Sequence, residues 1–200
     1  MKISKLRINH LKQPMGYQMD RVTFSWKVKE AQGKKQKWAH VRVSESADMK
    51  KNVYDSGERA DADSIAFTAN IALKPRTRYY WNVRVMTDAG EEAFSETQWF
   101  ETGKMEESWS GVWITPKWEE QEHPIFFYRW KNEKEVRQGR LYICGLGLYE
   151  AYLNGEKVSD ECLTPYCNDY TQWLQYQTFD VTEAKIKDRN TKINLTDEKR

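Results

Sequence analysis

Two acidic pairs, Glu119-Glu120 and Asp160-Glu161, carry the residue type that general acid and base catalysis requires. Such catalysis needs two carboxylates that flank one bond of the substrate. Adjacent residues of a strand point to opposite faces, so neither pair meets this condition on a strand. We therefore interpret both pairs as solvated loop charges and predict no catalytic residue in this chain.

The spacing of cysteine and histidine gives little support to metal binding or thiol chemistry. The residues concerned are Cys144, Cys162, Cys167, His10, His40 and His123. They lack the four-ligand spacing of a zinc site, and no cysteine has an evident histidine partner in the sequence. An odd number of cysteines does not suit a disulfide framework, and it fits a reducing compartment. We predict structural thiols, with no metal ion and no cofactor.

Aromatic residues are abundant, with 9 Trp, 11 Tyr and 7 Phe. Sugar rings pack their C–H faces on such side chains while polar groups bind the hydroxyls. Trp26, Phe67 and Trp81 lie in alternating patterns and are predicted core residues. The aromatics in loops or at strand ends are candidate carbohydrate-binding residues, with packing as the alternative role: Trp118, Tyr149, Tyr170 and Trp173, with Tyr166 among them.

Charge and hydropathy argue against two classes of partner. The 200 residues include 32 basic and 30 acidic ones, and a net charge of +2 gives no reason to expect nucleic acid. No segment approaches the roughly 20 apolar residues of a spanning helix, so we expect no membrane partner. Residues 1–13 lack the apolar stretch of a secretory signal, which favours a cytoplasmic protein.

Strands must position these residues, because apolar residues alternate with polar ones through the first half of the chain. Val22, Phe24, Trp26 and Val28 show the period of two that is typical of a half-buried strand. The pattern recurs at 39–43, 65–71, 79–85 and 97–101, with turn residues between the runs. It predicts an all-β sandwich over residues 1–103.

Residues 73–79, Leu-Lys-Pro-Arg-Thr-Arg-Tyr, have the spacing of a tyrosine corner. A tyrosine at the start of a strand can bury its ring and return its hydroxyl to the backbone a few residues upstream. The segment resembles this feature of fibronectin type III domains.

The residue pattern changes in the second half of the chain, and this change predicts a second domain, residues 104–200. Strands are expected at 125–130 and 140–145, and Asn154-Gly155 predicts a type I′ hairpin turn after 146–153. Gly145 and Gly147 indicate a bulge or sharp bend rather than a phosphate-binding loop.

Taken in order, seven blocks resemble the N-terminal region of bacterial alpha-L-rhamnosidases, glycoside hydrolase family 78. They are Asp55-Ser56-Gly57, 78–85 (RYYWNVRV), 99–103 (WFETG), Trp113-Ile114, 141–150 (LYICGLGLYE), 153–158 (LNGEKV) and 178–182 (TFDVT). The resemblance implies a fibronectin-like domain and a jelly-roll domain thought to help recognise substrate, both preceding a helical (α/α)6 catalytic barrel.

No part of this chain matches that barrel, which supplies the acid and base of an inverting glycosidase, about 6.5–9.5 Å apart. The chain also departs from the family after Thr182, where 183–200 holds six Lys or Arg and four Asp or Glu. The predicted fold is therefore all-β: two tandem β-sandwiches, the second a partial, truncated jelly roll with a polar tail from about residue 183.

Three functions remain open on the sequence. The first is a non-catalytic N-terminal fragment of an alpha-L-rhamnosidase, with the catalytic barrel as its partner in cis and a rhamnoside as the expected carbohydrate. The second is a stand-alone carbohydrate-binding protein. The third is a structural product without sugar binding, in which an open sheet edge would promote self-association.

Overall fold

The structure, a computed structural model, describes residues 1–117, 124–131, 133, 136–182 and 190–198. These residues form fifteen strands and contain no helix, so none long and apolar enough to cross a membrane occurs among them. The chain divides into two compact units, Met1–Ser108 and Trp109–Arg200, called units 1 and 2 below. The all-β prediction is confirmed.

Unit 1 consists of two sheets. The first has the strand order β1 (Lys2–Ile8), β3 (Val22–Lys29) and β6 (Phe67–Ala69). The second has the order β2 (Met15–Tyr17), β9 (Gln98–Thr102), β7 (Arg78–Thr87), β4 (Gln36–Ser44) and β5 (Asn52–Asp55), and β8 (Glu92–Phe94) pairs with β7.

The core of unit 1 consists of the inward-facing residues of both sheets. The predicted core residues Trp26, Phe67 and Trp81 are all buried in it. The strand predicted at 65–71 is shorter, Phe67–Ala69, and Ile65 is exposed. Its backbone N–H donates to the Asp63 carboxylate, so a local turn occupies the start of the predicted strand.

Unit 1 extends beyond the predicted boundary at residue 103. The Gln18 side-chain amide donates to Glu106, and Arg76 forms an ion pair with Glu107 at 2.6 Å. These contacts attach residues 104–108 to the first sandwich, which places the boundary at Ser108.

The tyrosine corner is present in unit 1. The Tyr79 ring is buried and stacks on Phe100, with ring centroids 5.3 Å apart. Its hydroxyl accepts a hydrogen bond of 2.8 Å from the backbone N–H of Lys74. The bond satisfies a phenol whose burial alone would be unfavourable, and it fixes the connection that enters β7.

We predict that Tyr79→Phe lowers the free energy of unfolding of unit 1 by about 1–2 kcal/mol, because the Lys74 N–H loses its acceptor. Hydrogen exchange of the β7 amides under native conditions measures this change. Tyr17→Phe is the matched control, since the Tyr17 ring is half exposed. Equal effects of the two substitutions would contradict a stabilising role for the corner.

The described residues of unit 2 form two sheets. One has the order β10 (Ile125–Lys131), β15 (Asn190–Glu198), β12 (Leu148–Leu153) and β13 (Glu156–Lys157), and the other pairs β11 (Arg140–Cys144) with β14 (Tyr176–Asp180). Asn154 and Gly155 join β12 to β13 with φ values of 54° and 89°, as the predicted hairpin turn requires. Gly145 and Gly147 lie where the chain passes from one sheet to the other, which agrees with the predicted bend.

Residues 190–198 lie within the polar tail predicted from about residue 183. They form β15, which pairs antiparallel with β10 on one side and with β12 on the other. Ile193 and Leu195 alternate with polar residues along this segment, a pattern compatible with a strand despite its low overall hydropathy.

Candidate functional site

The connection between β13 and β14 carries three exposed aromatic residues of unit 2, Tyr166, Tyr170 and Trp173. The Asp169 side chain accepts hydrogen bonds from the backbone N–H and the hydroxyl of Thr171, at 3.0 and 2.6 Å. The Asp169 carbonyl oxygen accepts the backbone N–H groups of Gln172 and Trp173. The bonds to Thr171 lower the pKa of the Asp169 carboxyl. A tight turn therefore fixes the backbone between Tyr170 and Trp173.

Two further hydrogen bonds attach this connection to the bend between the sheets. The Tyr170 hydroxyl accepts the N–H of Gly147 at 3.0 Å, and the Thr164 carbonyl accepts the N–H of Tyr149 at 3.0 Å. Gly147 has a φ of 115°, which residues with a side chain rarely adopt. Glycine therefore suits this position, whose N–H binds the Tyr170 hydroxyl. The loop is therefore held by two elements of the sandwich.

The predicted aromatic residues differ in exposure. Trp173 is 56% exposed and Tyr170 is 39% exposed, while Tyr166, in the same connection, is 70% exposed. Trp118 lies outside the described residues. Exposed rings beside backbone and hydroxyl groups can bind the apolar face of a sugar while the polar groups bind its hydroxyls.

Tyr149 is oriented into unit 2. A side chain at Gly145 would place its Cβ 2.7 Å from Cδ1 of the Tyr149 ring, so the ring occupies the space that this glycine leaves. Its hydroxyl is buried, and burial raises the pKa of the phenol well above its ordinary value. Of the three predicted ligand-binding residues that the structure describes, Tyr170 and Trp173 are the exposed ones.

The acidic residues near this connection make local contacts. Glu161 accepts a hydrogen bond of 2.7 Å from the Gln177 side chain, and Glu150 contacts Lys157 and the hydroxyl of Tyr152. The contact with Lys157 lowers the pKa of the Glu150 carboxyl. The pair Glu119-Glu120 lies outside the described residues.

The cysteines of unit 2 are free thiols. Burial raises the pKa of the Cys144 thiol, which disfavours the reactive thiolate. Among the residues that the structure describes, no group of three or more His, Cys, Asp or Glu side chains could hold a metal ion.

Comparison with known proteins assigns both units. Residues 3–106 match the family model of the Rha78A-like, N-terminal immunoglobulin domain, and residues 134–196 match that of the alpha-L-rhamnosidase N-terminal domain. The chain belongs to the alpha-L-rhamnosidase family. Both matched models describe N-terminal domains, and the second includes most of β15. The resemblance inferred from the seven sequence blocks is confirmed.

Individual alpha-L-rhamnosidases support this assignment. One from Formosa agariphila is 32% identical over an alignment that covers 90% of this chain and 22% of the relative. The structure of the enzyme from Dictyoglumus thermophilum is 29% identical with a TM-score of 0.87, covering 98% of this chain and 25% of that one. The Aspergillus terreus enzyme shares the fold, with a TM-score of 0.78 at 20% identity. The chain thus spans about a quarter or less of these relatives.

Proposed function

We propose that this chain is a non-catalytic N-terminal region of an alpha-L-rhamnosidase, an enzyme that releases terminal alpha-L-rhamnose. Its role is to support the catalytic part of the protein, with the surface around Tyr170 and Trp173 contributing contacts to the saccharide. The observation that carries the proposal is that both family models matched by the chain describe N-terminal domains.

The apolar surface of unit 2 supports a partner in cis. A group of exposed apolar side chains lies in the segment before β10 and on β10 itself: Val112, Trp113, Ile114, Ile125 and Phe127, which are 84%, 63%, 58%, 64% and 50% exposed. Soluble proteins rarely leave large apolar surface uncovered without an interaction that covers it. In the proposed role, the catalytic part of the enzyme covers these residues.

A chimera tests this role. We expect that replacing the matching N-terminal region of the Dictyoglumus thermophilum enzyme with this chain retains hydrolysis of an aryl alpha-L-rhamnoside. Adding Ile125→Thr and Phe127→Thr should lower the yield of active soluble enzyme by about ten-fold, since together they remove about 1–2 kcal/mol of apolar contact. Threonine keeps the strand preference of both positions.

The matched control in the chimera is Ile65→Thr with Phe94→Thr, an exposed isoleucine and phenylalanine of unit 1. We expect this control to retain full yield and activity. Full activity of the enzyme without any N-terminal region would contradict the supporting role. Hydrolysis of the aryl rhamnoside by this chain alone would contradict its non-catalytic character.

The exposure of Tyr170 and Trp173 also favours a second function, stand-alone carbohydrate binding. A change in tryptophan fluorescence on adding L-rhamnose to the isolated chain, lost in Trp173→Phe, would support it. Self-association is the other interaction that would cover the apolar residues of β10, and a dimer of the isolated chain in size-exclusion chromatography would support it.

A further inference from the structure

A basic cleft lies at one end of unit 1, between the β1–β3 pair and the β3–β4 connection. It has a volume of about 750 Å³. Six of its lining residues are cationic and one, Glu30, is acidic; the cations are Lys5, Arg7, Lys27, Lys29, Lys34 and Lys35, with His10 beside them. The net charge of +2 for the whole chain conceals this local excess.

Within the part of the chain that the structure describes, the cations of the cleft form no ion pair, whereas several cations elsewhere in unit 1 do. Elsewhere the carboxylates neutralise neighbouring cations, as in Lys74–Glu45, Arg76–Glu107, Arg78–Glu101 and Arg84–Glu92. Among the ion pairs of the described residues, none includes a cation of the cleft. The distribution of acidic residues leaves the lining of the cleft positive.

The β1–β3 pairing concentrates the positive charge further. Lys2 lies directly opposite Lys29, and like charges at directly opposite positions destabilise a sheet. The register of β1 shifts between Ser4 and Arg7, and Lys5 within this bulge has a φ of 51°. A bulge re-aims side chains and is common beside binding sites. A bound anion would relieve the repulsion.

The loop that carries Lys34 and Lys35 is ordered through its backbone. Asp88 accepts both of their N–H groups, at 2.9 and 3.2 Å, and Glu91 accepts the N–H of Gly33 at 2.9 Å. A Cβ at Gly33 would lie 2.5 Å from that of Thr87, so the loop packs closely against the end of β7. Counting Asp88 and Glu91 with Glu30, six cations still face three carboxylates.

We propose that this cleft binds an anionic polysaccharide, a chain of sugar rings that carry sulfate or carboxylate groups. The cations bind the anionic groups, and the exposed Ile65, which also lines the cleft, contacts the C–H faces of the rings. Single-stranded nucleic acid fits less well, because base stacking needs exposed rings. The Trp26 ring of the cleft is 2% exposed, and its N–H donates to Gln36.

This site is in unit 1 and does not rest on the proposed role in an alpha-L-rhamnosidase. The test measures binding of labelled dextran sulfate and of polygalacturonate to the full chain, with neutral dextran and poly(dT) as comparisons. We expect both anionic polysaccharides to bind, more weakly as salt screens the charges, and neutral dextran not to bind. Whichever of the two binds more tightly identifies sulfate or carboxylate as the preferred group.

Two triple variants with the same net charge distinguish binding at the cleft from general electrostatic attraction of the polysaccharide to the chain. Lys27→Gln, Lys29→Gln and Lys34→Gln together should raise the Kd for the tighter polysaccharide at least ten-fold. The control, Lys12→Gln, Lys50→Gln and Lys51→Gln, alters exposed lysines outside the cleft and should change it less than two-fold. Equal weakening by both triples, or poly(dT) binding as tightly through the same lysines, would overturn the proposal.

Chemical protection of the unmodified chain provides an independent readout. Dextran sulfate should slow acetylation of Lys27, Lys29, Lys34 and Lys35 at least five-fold, as followed by mass spectrometry, and leave Lys50 and Lys51 unaffected. Uniform protection of all lysines, or none, would overturn the proposal.

Discussion

Phe24→Ala is expected to lower the free energy of unfolding of unit 1 by about 3–5 kcal/mol, the usual range for truncating a buried phenylalanine. The Phe24 side chain is fully buried, and its ring centroid lies 4.6 Å from that of Trp81 and 6.5 Å from that of Phe100. The substitution removes apolar contact and leaves a cavity between the two sheets. The sheets can move together only in part to fill this cavity.

Hydrogen exchange of the β3 and β7 amides measures this loss in unit 1 separately from unit 2. Phe94→Ala is the matched control, because it removes the same atoms from a ring that is 62% exposed. We expect the control to change the free energy of unfolding by less than about 1 kcal/mol. Comparable losses for both variants would show that Phe24 does not act through core packing.

The core of unit 1 was predictable because its strands alternate strictly. Trp26, Phe67 and Trp81 follow a period of two, and a strand with one buried face has only one register that buries such a set. The tyrosine corner was predictable for a similar reason, since the spacing from Lys74 to Tyr79 is a local property of the chain.

The structure of 190–198 was not predictable from hydropathy. In β15 only Ile193 and Leu195 interrupt a polar sequence, and the strand is defined by pairing with β10 and β12, which precede it by many residues. Pairing between distant segments leaves little trace in local composition.

Whether the candidate sites could be predicted also depends on whether they are set by local sequence or by contacts between distant segments. Tyr149 follows a glycine-containing bend, but its orientation towards Gly145 is set by the passage of the chain between the two sheets. The basic cleft did leave a signal, because residues 1–37 contain ten Lys or Arg and only two Asp or Glu. Averaging charge over 200 residues hid it.

Arg78→Ala is the second substitution with a large expected effect, a loss of about 3 kcal/mol in the free energy of unfolding of unit 1. Arg78 on β7 lies directly opposite Glu101 on β9, with Nε 2.8 Å from the carboxylate, and the Glu101 side chain is only 2% exposed. The Arg78 guanidinium also lies 4.1 Å from the centroid of the Trp99 ring. Removing it takes the Arg78 cation away from a buried carboxylate.

Surface exposure is what separates this pair from the other ion pairs of unit 1. Arg59 pairs with Asp61 at 2.6 Å, a shorter distance, but their side chains are 49% and 68% exposed. Solvent screens such a pair, so Arg59→Ala should lower the free energy of unfolding by less than about 1 kcal/mol. Adding Glu101→Gln to Arg78→Ala should recover part of the loss, because the double variant no longer buries a carboxylate that has lost the Arg78 cation. The opposite outcome is that the losses from the two single substitutions simply add in the double variant. In that case the two side chains are not coupled, and the loss in Arg78→Ala reflects the contact of Arg78 with Trp99.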